Sequence, residues 1–349
     1  MALPAPGRPG RTPLVIGLRG ACGYRPEHTL ASYELAARMG ADFIEPDLVP
    51  TRDGVLVARH ENDITATTDV AERPELADRR TTRLIDGREV TGWFTEDLTL
   101  AELRTLRAVE RLPQVRPGST AYDGQFAVPT FEEVLELRER LSSELGREVG
   151  VYPETKHPSY FAGLGLSTDE PLVAALEAHG LNRPDAPVFV QSFETTNLVD
   201  LVGRLGLRTP TIFLMEAAGS PFDAVAAGDG ERTYAWFGTG AGLRDLAAAG
   251  ISGIGPDLSL VIARRADGSM GADTGLVPRA HEAGLAVHPW TFRAENTFLY
   301  ADFRSGDDPA AHGDLAGQVA AFLEAGVDGF FTDHPDVGAA AVEAWSTTG

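Results

Sequence analysis

Short apolar segments alternate with helix-length amphipathic segments along most of this chain, and this alternation limits the possible folds more than any other feature. The short segments are rich in Val, Ile and Phe and apolar throughout, as the strands of a parallel sheet covered by helices are. The predicted strands are residues 14–19, 43–48, 55–60, 149–155, 188–192, 211–215, 251–255, 285–290 and 329–332. The predicted helices are residues 30–39, 100–108, 131–145, 170–179, 195–205, 243–249, 276–283 and 315–325, with a last helix beginning near Pro335.

Roughly eight strand–helix units favour a (β/α)₈ TIM barrel, and a doubly wound open sheet is the alternative. A single barrel domain over residues 1–349 is an ordinary size for this fold. Residues from about 61 to 122 depart from the alternation, because they hold one convincing helix among many threonines and charged residues. We therefore expect an insertion after the second βα unit, placed to form a cap over the barrel mouth.

The composition excludes several classes of protein. With 43% hydrophobic residues the chain can bury a large core, but no apolar run is long enough to span a membrane. A net charge of −21 argues against nucleic-acid binding. Cys22 is the only cysteine, which excludes an internal disulfide and a multi-thiolate zinc site.

Two carboxylates stand at alternate positions of the second predicted strand, in Glu45-Pro46-Asp47. Side chains at i and i+2 of a strand share a face, so these like charges repel unless a cation lies between them. Ordinary strand-end caps or salt bridges are the alternative, but charged groups in an apolar strand are costly to bury unpaired. Glu154, at the end of another predicted strand, would complete an oxygen-only ligand set, which favours Ca²⁺ or Mg²⁺.

Other polar side chains also fall at strand ends, where the active site of a barrel lies. His60 ends the segment 55–60 and is a candidate acid/base group, although a lone histidine is often only structural. Arg19 and Lys156 are placed to hold a phosphate, or else they neutralise the acidic cluster. His28 and His157 lie off this pattern, and we expect them to support the site or lie at the surface.

Three aromatic residues near strand ends, Phe193, Trp290 and Phe331, are candidate walls of a substrate pocket. Each could equally belong to the core, and Trp290 is the strongest candidate for the pocket.

These motifs resemble those of the glycerophosphodiester phosphodiesterases, especially the bacterial periplasmic type. The family pattern is His-Arg at the end of the first strand, Glu-x-Asp on the second, and a later His. Here it stands as Leu18-Arg19, Glu45-Pro46-Asp47 and His60. Further similar blocks follow in order at residues 19–30, 67–70, 152–156, 190–193, 253–257, 287–291 and 329–335, so that the resemblance covers about residues 14–342.

The resemblance implies a TIM barrel in which three carboxylates hold one Ca²⁺ or Mg²⁺ and two cations contact the phosphate. The implied metal ligands are Glu45, Asp47 and Glu154, and the implied phosphate ligands are Arg19 and Lys156. In the family's usual mechanism two histidines exchange protons, and a free glycerol hydroxyl can attack phosphorus to give a cyclic phosphate. His60 would be one of them, and the other would stand at position 18, where this chain has leucine.

Leu18 cannot carry a proton, and loss of a general acid or base typically costs on the order of 10²–10⁴ in rate. Leu18 has three possible interpretations: an engineered substitution that lowers the activity of the enzyme, a natural variant with another proton carrier, and a non-catalytic relative that only binds phosphodiesters. We favour the first, because the rest of the site is intact and Met1 precedes a terminus resembling that of a mature protein.

The expected function is therefore metal-dependent hydrolysis of glycerophosphodiesters or lysophospholipids, impaired by Leu18. A phosphodiester-binding pseudoenzyme of the same fold is the alternative, and a phospholipase-D-like barrel acting on sphingolipids would need a more apolar mouth. We expect no nucleic-acid partner and no stable membrane insertion. The Pro/Gly-rich segment 2–10 lacks an apolar signal and favours a mature extracellular protein, with a cytoplasmic location as the alternative.

Overall fold

Parallel strands close into a barrel in the computed structural model, which describes residues 12–348. Predictions that rest on Met1 and on segment 2–10 therefore lie outside the described residues. The strands are β1 (Leu14–Leu18), β2 (Phe43–Glu45), β3 (Asp47–Pro50), β4 (Leu56–Ala58), β5 (Thr81–Ile85), β6 (Arg88–Gly92), β7 (Gly150–Val151), β8 (Glu154–Thr155), β9 (Val190–Ser192), β10 (Thr211–Met215), β11 (Gly253–Pro256), β12 (Ile262–Arg264), β13 (Met270–Asp273), β14 (Ala286–Val287) and β15 (Gly329–Thr332).

The barrel order follows from the strand pairing. β1 lies between β15 and β2, β2 pairs with β7, and β3 continues the sheet through β8, β9, β10, β11 and β14. A parallel bridge from Phe292 to Thr332, and a 3.0 Å bond from the Phe331 N–H to the Pro289 carbonyl, join the β14 side to β15. The closed parallel sheet confirms the predicted (β/α)₈ barrel and excludes the open doubly wound sheet.

Two barrel strands are interrupted where proline enters them. Pro46 separates β2 from β3, and the Tyr152-Pro153 pair separates β7 from β8. Proline has no N–H to donate, so the ladder of backbone hydrogen bonds between the strands is interrupted there. It resumes in register, because the Glu154 N–H donates to the Pro46 carbonyl at 2.9 Å.

Helices cover the outside of the barrel and begin at recognisable caps. Thr130 and Glu133 form the predicted capping box of α3. The α-helices are α1 (Leu30–Arg38), α2 (Leu100–Leu103), α3 (Phe131–Leu145), α4 (Pro158–Gly163), α5 (Asp169–Ala178), α6 (Thr195–Gly203), α7 (Phe222–Ala226), α8 (Tyr234–Phe237), α9 (Gly240–Ala248), α10 (Leu258–Val261), α11 (Leu276–Glu282), α12 (Leu315–Glu324) and α13 (Pro335–Thr348). Short 3₁₀ turns lie at Asp69–Glu72, Pro74–Arg79, Thr95–Asp97, Ser119–Tyr122 and Ala301–Phe303. Among the described residues, none of these helices has the length and apolar character that crossing a membrane requires.

The prediction that residues 55–60 form a strand of the parallel sheet is wrong. Within this segment β4 pairs antiparallel with β3, and His60 follows it outside the ladder. A tight turn at Thr51–Gly54 reverses the chain, with Gly54 at φ 80°. A parallel return would need a crossover of a dozen residues or more, which this turn cannot provide.

The predicted helix over residues 100–108 is also too long, because α2 ends at Leu103. Beyond it the chain pairs with the start of the insertion. The Arg107 N–H donates to the Asp69 side chain at 2.8 Å, and Ala108 bridges to Thr68. Tertiary hydrogen bonds thus replace the last predicted helical turns.

Residues 61–122 carry an antiparallel hairpin, β5–β6, that the sequence pattern did not reveal. The insertion shares an apolar cluster with the barrel, in which Ile64, Trp93 and Leu106 of the insertion join Val49 of β3. Its assignment as a cap within one domain stays a prediction. A smaller apolar cluster fills the barrel interior, with members Ile16, Leu18, Phe43, Tyr152, Phe189, Ile212 and Phe331.

Candidate active site

A cavity of about 200 Å³ opens at the carboxyl ends of the barrel strands. This is the end of a TIM barrel at which active sites lie. The predicted site residues that line it are Leu18, Arg19, Asp47, His60, Glu154, Lys156, Phe193, Trp290 and Phe331. The structure thus gathers on one surface side chains that come from most of the length of the chain.

Three carboxylates lie together because their strands are neighbours, and two of them, Asp47 and Glu154, line the cavity. Asp47 and Glu154 are register partners across β3 and β8, and Glu45 ends β2. Glu45, Asp47 and Glu154 are all buried, and each offers an oxygen within 4.8 Å of the others. Asp47 Oδ1 is buried without a hydrogen-bond partner among the described residues. An oxygen-only donor set with an unpaired carboxylate oxygen fits a hard divalent cation.

The electrostatics of the three carboxylates are those of a crowded site. Burial raises the pKa of Glu45 well above its ordinary value, and the neighbouring Asp47 and Glu154 add to the shift. Burial likewise raises the pKa of Glu154 to about 8, against the opposing effect of Lys156. Burial would also raise the pKa of Asp47, but Lys156 and a hydrogen bond from His28 hold it well below its usual range. A cation between these groups would relieve the repulsion.

Each carboxylate is oriented by a donor. Glu45 accepts from the Arg19 backbone N–H at 2.8 Å and from the Gln191 amide at 3.0 Å. Asp47 Oδ2 lies 2.9 Å from His28 Nε2, and the other ring nitrogen of His28 lies 2.7 Å from the Tyr33 hydroxyl. His28 is fully buried and therefore supports the carboxylate from behind.

Two cations line the cavity beside the carboxylates. Arg19 pairs with Glu27 at 3.1 Å and lies 3.3 Å from Asp47. Although burial opposes its charge, these carboxylates raise the pKa of the guanidinium. Lys156 Nζ lies 2.9 Å from Glu154, and burial of the ammonium is likewise outweighed by the carboxylates around it, which raise its pKa. Both side chains remain charged at neutral pH.

His60 and Leu18 face the same cavity but differ in what they can do. The His60 side chain is 28% exposed, and its ionic contact is a 3.9 Å approach to Glu61. Burial, aided by Arg19 and Lys156, lowers the pKa of His60 well below its usual value, so that the neutral ring can accept a proton. Leu18 is paired with Glu45 in register and belongs to the apolar interior of the barrel.

The three predicted aromatic residues occupy two different environments. Trp290 and Phe193 meet edge to face with centroids 5.8 Å apart, and the Trp290 indole N–H donates to the Gly255 carbonyl at 2.7 Å. They form one wall of the cavity. Phe331 is 1% exposed and packs on Tyr152 in the barrel interior, and it also lines the cavity.

Five further residues line the cavity, namely Glu61, Gln191, Leu214, Glu216 and Thr291. Gln191 and Glu216 stand at predicted strand ends, where the barrel mouth was expected, whereas Glu61, Leu214 and Thr291 were not predicted as site residues. Glu27, which holds Arg19, also pairs with Arg111 of the insertion at 3.0 Å. No local sequence pattern predicts the contact between Glu27 and Arg111.

A second cavity of about 810 Å³ adjoins the first on its outer side. The two share His60, Glu61, Glu154, Lys156, Phe193 and Glu216. The outer cavity is bounded in part by the β5–β6 hairpin of the insertion. A substrate anchored at the carboxylates could therefore extend outward under the hairpin.

Comparison with known proteins bears on this arrangement. Residues 19–337 match the model of the glycerophosphoryl diester phosphodiesterase family. The chain belongs to this family. It is 34% identical over 333 residues to the glycerophosphodiester phosphodiesterase GDPD6 of Arabidopsis thaliana, covering 92% of this chain and 83% of that protein. It is 31% identical over 329 residues to a glycerophosphodiester phosphodiesterase of Bacillus subtilis, covering 93% and 84%.

Solved structures share the fold of this glycerophosphoryl diester phosphodiesterase family member. A phosphodiesterase of Oleispira antarctica, solved with the product sn-glycerol-3-phosphate, superposes with a TM-score of 0.61 at 19% identity over 95% of this chain and 97% of that one. A glycerophosphodiester phosphodiesterase of Agrobacterium tumefaciens gives a TM-score of 0.56 at 19% identity, covering 94% and 99%. The family match begins at residue 19, directly after Leu18.

Proposed function

We propose that this protein is a metal-dependent phosphodiesterase that hydrolyses glycerophosphodiesters, with lysophospholipids as a second substrate class. The observation that carries the proposal is the convergence of five side chains on one cavity, with Glu45 beside them: Arg19, Asp47, His60, Glu154 and Lys156. Relatives named as glycerophosphodiester phosphodiesterases support the same activity.

The metal would be Ca²⁺ or Mg²⁺, held by Glu45, Asp47 and Glu154. When bound, such an ion neutralises phosphate oxygens and lowers the pKa of a bound hydroxyl. Arg19 and Lys156 bind the remaining phosphate charge, Arg19 as a planar fork and Lys156 as a point charge. Phe193, Trp290 and Phe331 would contact the carbon skeleton of the substrate.

His60 would act as the proton acceptor. As water or a glycerol hydroxyl attacks phosphorus, its proton passes to the neutral His60 ring and the new P–O bond forms. The P–O bond to the departing alcohol breaks, and that alcohol needs a proton. Leu18, which stands where the family pattern has a histidine, cannot donate one, so water must supply it. We therefore propose that this form turns over slowly while still binding substrate.

Leu18 also favours a second candidate, a pseudoenzyme that binds phosphodiesters without cleaving them. A panel of glycerophosphodiesters and lysophospholipids separates the two, with products identified by mass and binding measured by calorimetry. Turnover that a chelator abolishes and Ca²⁺ or Mg²⁺ restores supports the enzyme. Binding with no turnover, in this form and in Leu18→His, supports the pseudoenzyme. We also propose an extracellular location for the protein, and cell fractionation tests it.

A further inference from the structure

The β5–β6 hairpin of the insertion ends in a tight turn at Asp86-Gly87. Both residues have positive φ, 45° and 78°, as a two-residue hairpin turn with the favoured twist requires. Most of the hairpin is exposed, including 64% of Leu84. A two-stranded hairpin is marginally stable on its own, so its position depends on what it contacts.

The tip of the hairpin is held by one side chain of the barrel. His157 Nδ1 lies 2.6 Å from Asp86 Oδ2, and His157 Nε2 lies 2.6 Å from Glu61 Oε2. Asp86 and Glu61 outweigh burial and raise the pKa of His157 to about 9, so that a charged imidazolium bridges two carboxylates at neutral pH. His157 has a φ of 45°, a left-handed conformation that is costly for a residue other than glycine.

Glu61 connects His157 with two side chains of the candidate active site, Lys156 and His60. Its second oxygen, Oε1, lies 3.9 Å from both Lys156 Nζ and His60 Nε2. The Glu61 side chain is therefore shared between the ring that holds the hairpin and the two groups assigned to phosphate binding and proton transfer. The hairpin also shares a cavity with those groups, because Ile85 and Asp86 line the outer cavity together with His60 and Lys156.

We propose that Asp86, His157 and Glu61 are positioning residues that link the insertion hairpin to Lys156 and His60. The inference rests on the proposed function and names how that site is assembled. With the hairpin docked, the charged His157 ring neutralises part of the Glu61 charge. The Lys156 ammonium then remains available to bind the phosphate. Without Asp86, the hairpin loses its tip contact and His157 loses the carboxylate that helps to keep its ring charged. The ring then neutralises less of the Glu61 charge, and Glu61 draws the Lys156 ammonium away from the phosphate. Substrate affinity then falls, while the intrinsic chemistry at His60 changes little.

The test variant is Asp86→Gly, because glycine keeps the positive φ of the turn while removing the carboxylate. Glu89→Gln, an exposed charge change on the same hairpin, is the matched control. Asp86→Asn is the conservative variant, since it keeps an acceptor oxygen without the charge. The readouts are amide hydrogen exchange over residues 81–92, KM and kcat on a glycerophosphodiester, and calorimetric binding of sn-glycerol 3-phosphate.

We expect Asp86→Gly to lose exchange protection in the hairpin and to raise both KM and the Kd for sn-glycerol 3-phosphate about tenfold, with kcat within about twofold of the unaltered protein. Asp86→Asn should give intermediate values, and Glu89→Gln should match the unaltered protein. Normal binding by the unaltered protein, with an unchanged Kd in Asp86→Gly, overturns the link alone. An unaltered protein that neither binds nor cleaves phosphodiesters overturns the proposed function itself.

Discussion

Asp47 and Glu154 face each other directly in the parallel register of β3 and β8, at the point where both strands resume after a proline. This pairing places two buried carboxylates side by side, with Glu45 completing a cluster whose oxygens lie within 4.8 Å of one another. Burial, together with repulsion from Asp47, raises the pKa of Glu154 to about 8. Such a cluster has a direct consequence for cation binding.

Removal of one carboxylate should abolish tight cation binding. We expect Glu154→Gln to weaken Ca²⁺ or Mg²⁺ binding on the order of 10²-fold, because one of three anionic ligands is lost. Calorimetric titration with each ion measures the change in affinity. Glu216→Gln is the control, since Glu216 lines the same cavity outside the cluster. Equal affinities in the two variants would contradict the ligand assignment.

Restoring an imidazole at position 18 should raise turnover. Leu18→His would supply the missing proton donor beside Glu45, and we expect a gain of roughly tenfold or more with Ca²⁺ or Mg²⁺ present. Initial rates on a glycerophosphodiester measure the gain. Leu214→His makes the same change on another wall of the cavity and should give no gain. If both variants stay at the rate of the unaltered protein, the proposed role of position 18 is wrong.

The stabilising effect of His157 should depend on pH. Its folded pKa of about 9 lies above the unfolded value of about 6.5, so its contribution is fully present below pH 6.5 and is lost as the pH rises through 9. We expect His157→Asn to cost about 2 kcal/mol near pH 6 and progressively less between pH 6.5 and 9. Denaturant unfolding across this range measures the difference. His179→Asn, at a helix end beside Glu132, provides the comparison. A cost that is constant with pH would argue against a charged bridge.

A buried ion-pair network should anchor the insertion more strongly than a surface pair does. Arg116 Nε lies 2.5 Å from Glu295, and Arg116 also pairs with Asp333 after β15, all three being buried. Arg116→Met would leave the buried Glu295 without its cation and Asp333 with Arg293 alone, and should cost about 3–5 kcal/mol. Chemical denaturation measures the free energy of unfolding.

Arg104→Met is the control for that measurement, because the Arg104–Glu133 pair is exposed and should cost less than about 1 kcal/mol. Similar losses in the two variants would show that burial adds nothing to the Arg116 network.

Several elements of the fold could be predicted because their signals are local. Apolar strands, the helix α3 with its Thr130–Glu133 capping box and the general strand–helix order follow from periodicity and capping chemistry. The strand direction of segment 55–60 was predicted wrongly, because a short run of strand-forming residues has the same pattern in a parallel and in an antiparallel strand. The Thr51–Gly54 turn before it decided the direction. The β5–β6 hairpin was missed because its strands are mostly exposed and carry no apolar pattern.

The sequence alone predicts the barrel, the positions of Glu45, Asp47 and Lys156 near strand ends, and the lack of a proton carrier at Leu18. Each of these depends on residue type and spacing, which can be read along the chain. The folded chain was needed to show that His28 supports the carboxylates and that Glu61, His157 and Asp86 connect the hairpin to the site. Those contacts join segments distant in the sequence, and closure of the sheet and packing of the insertion bring them within hydrogen-bond distance.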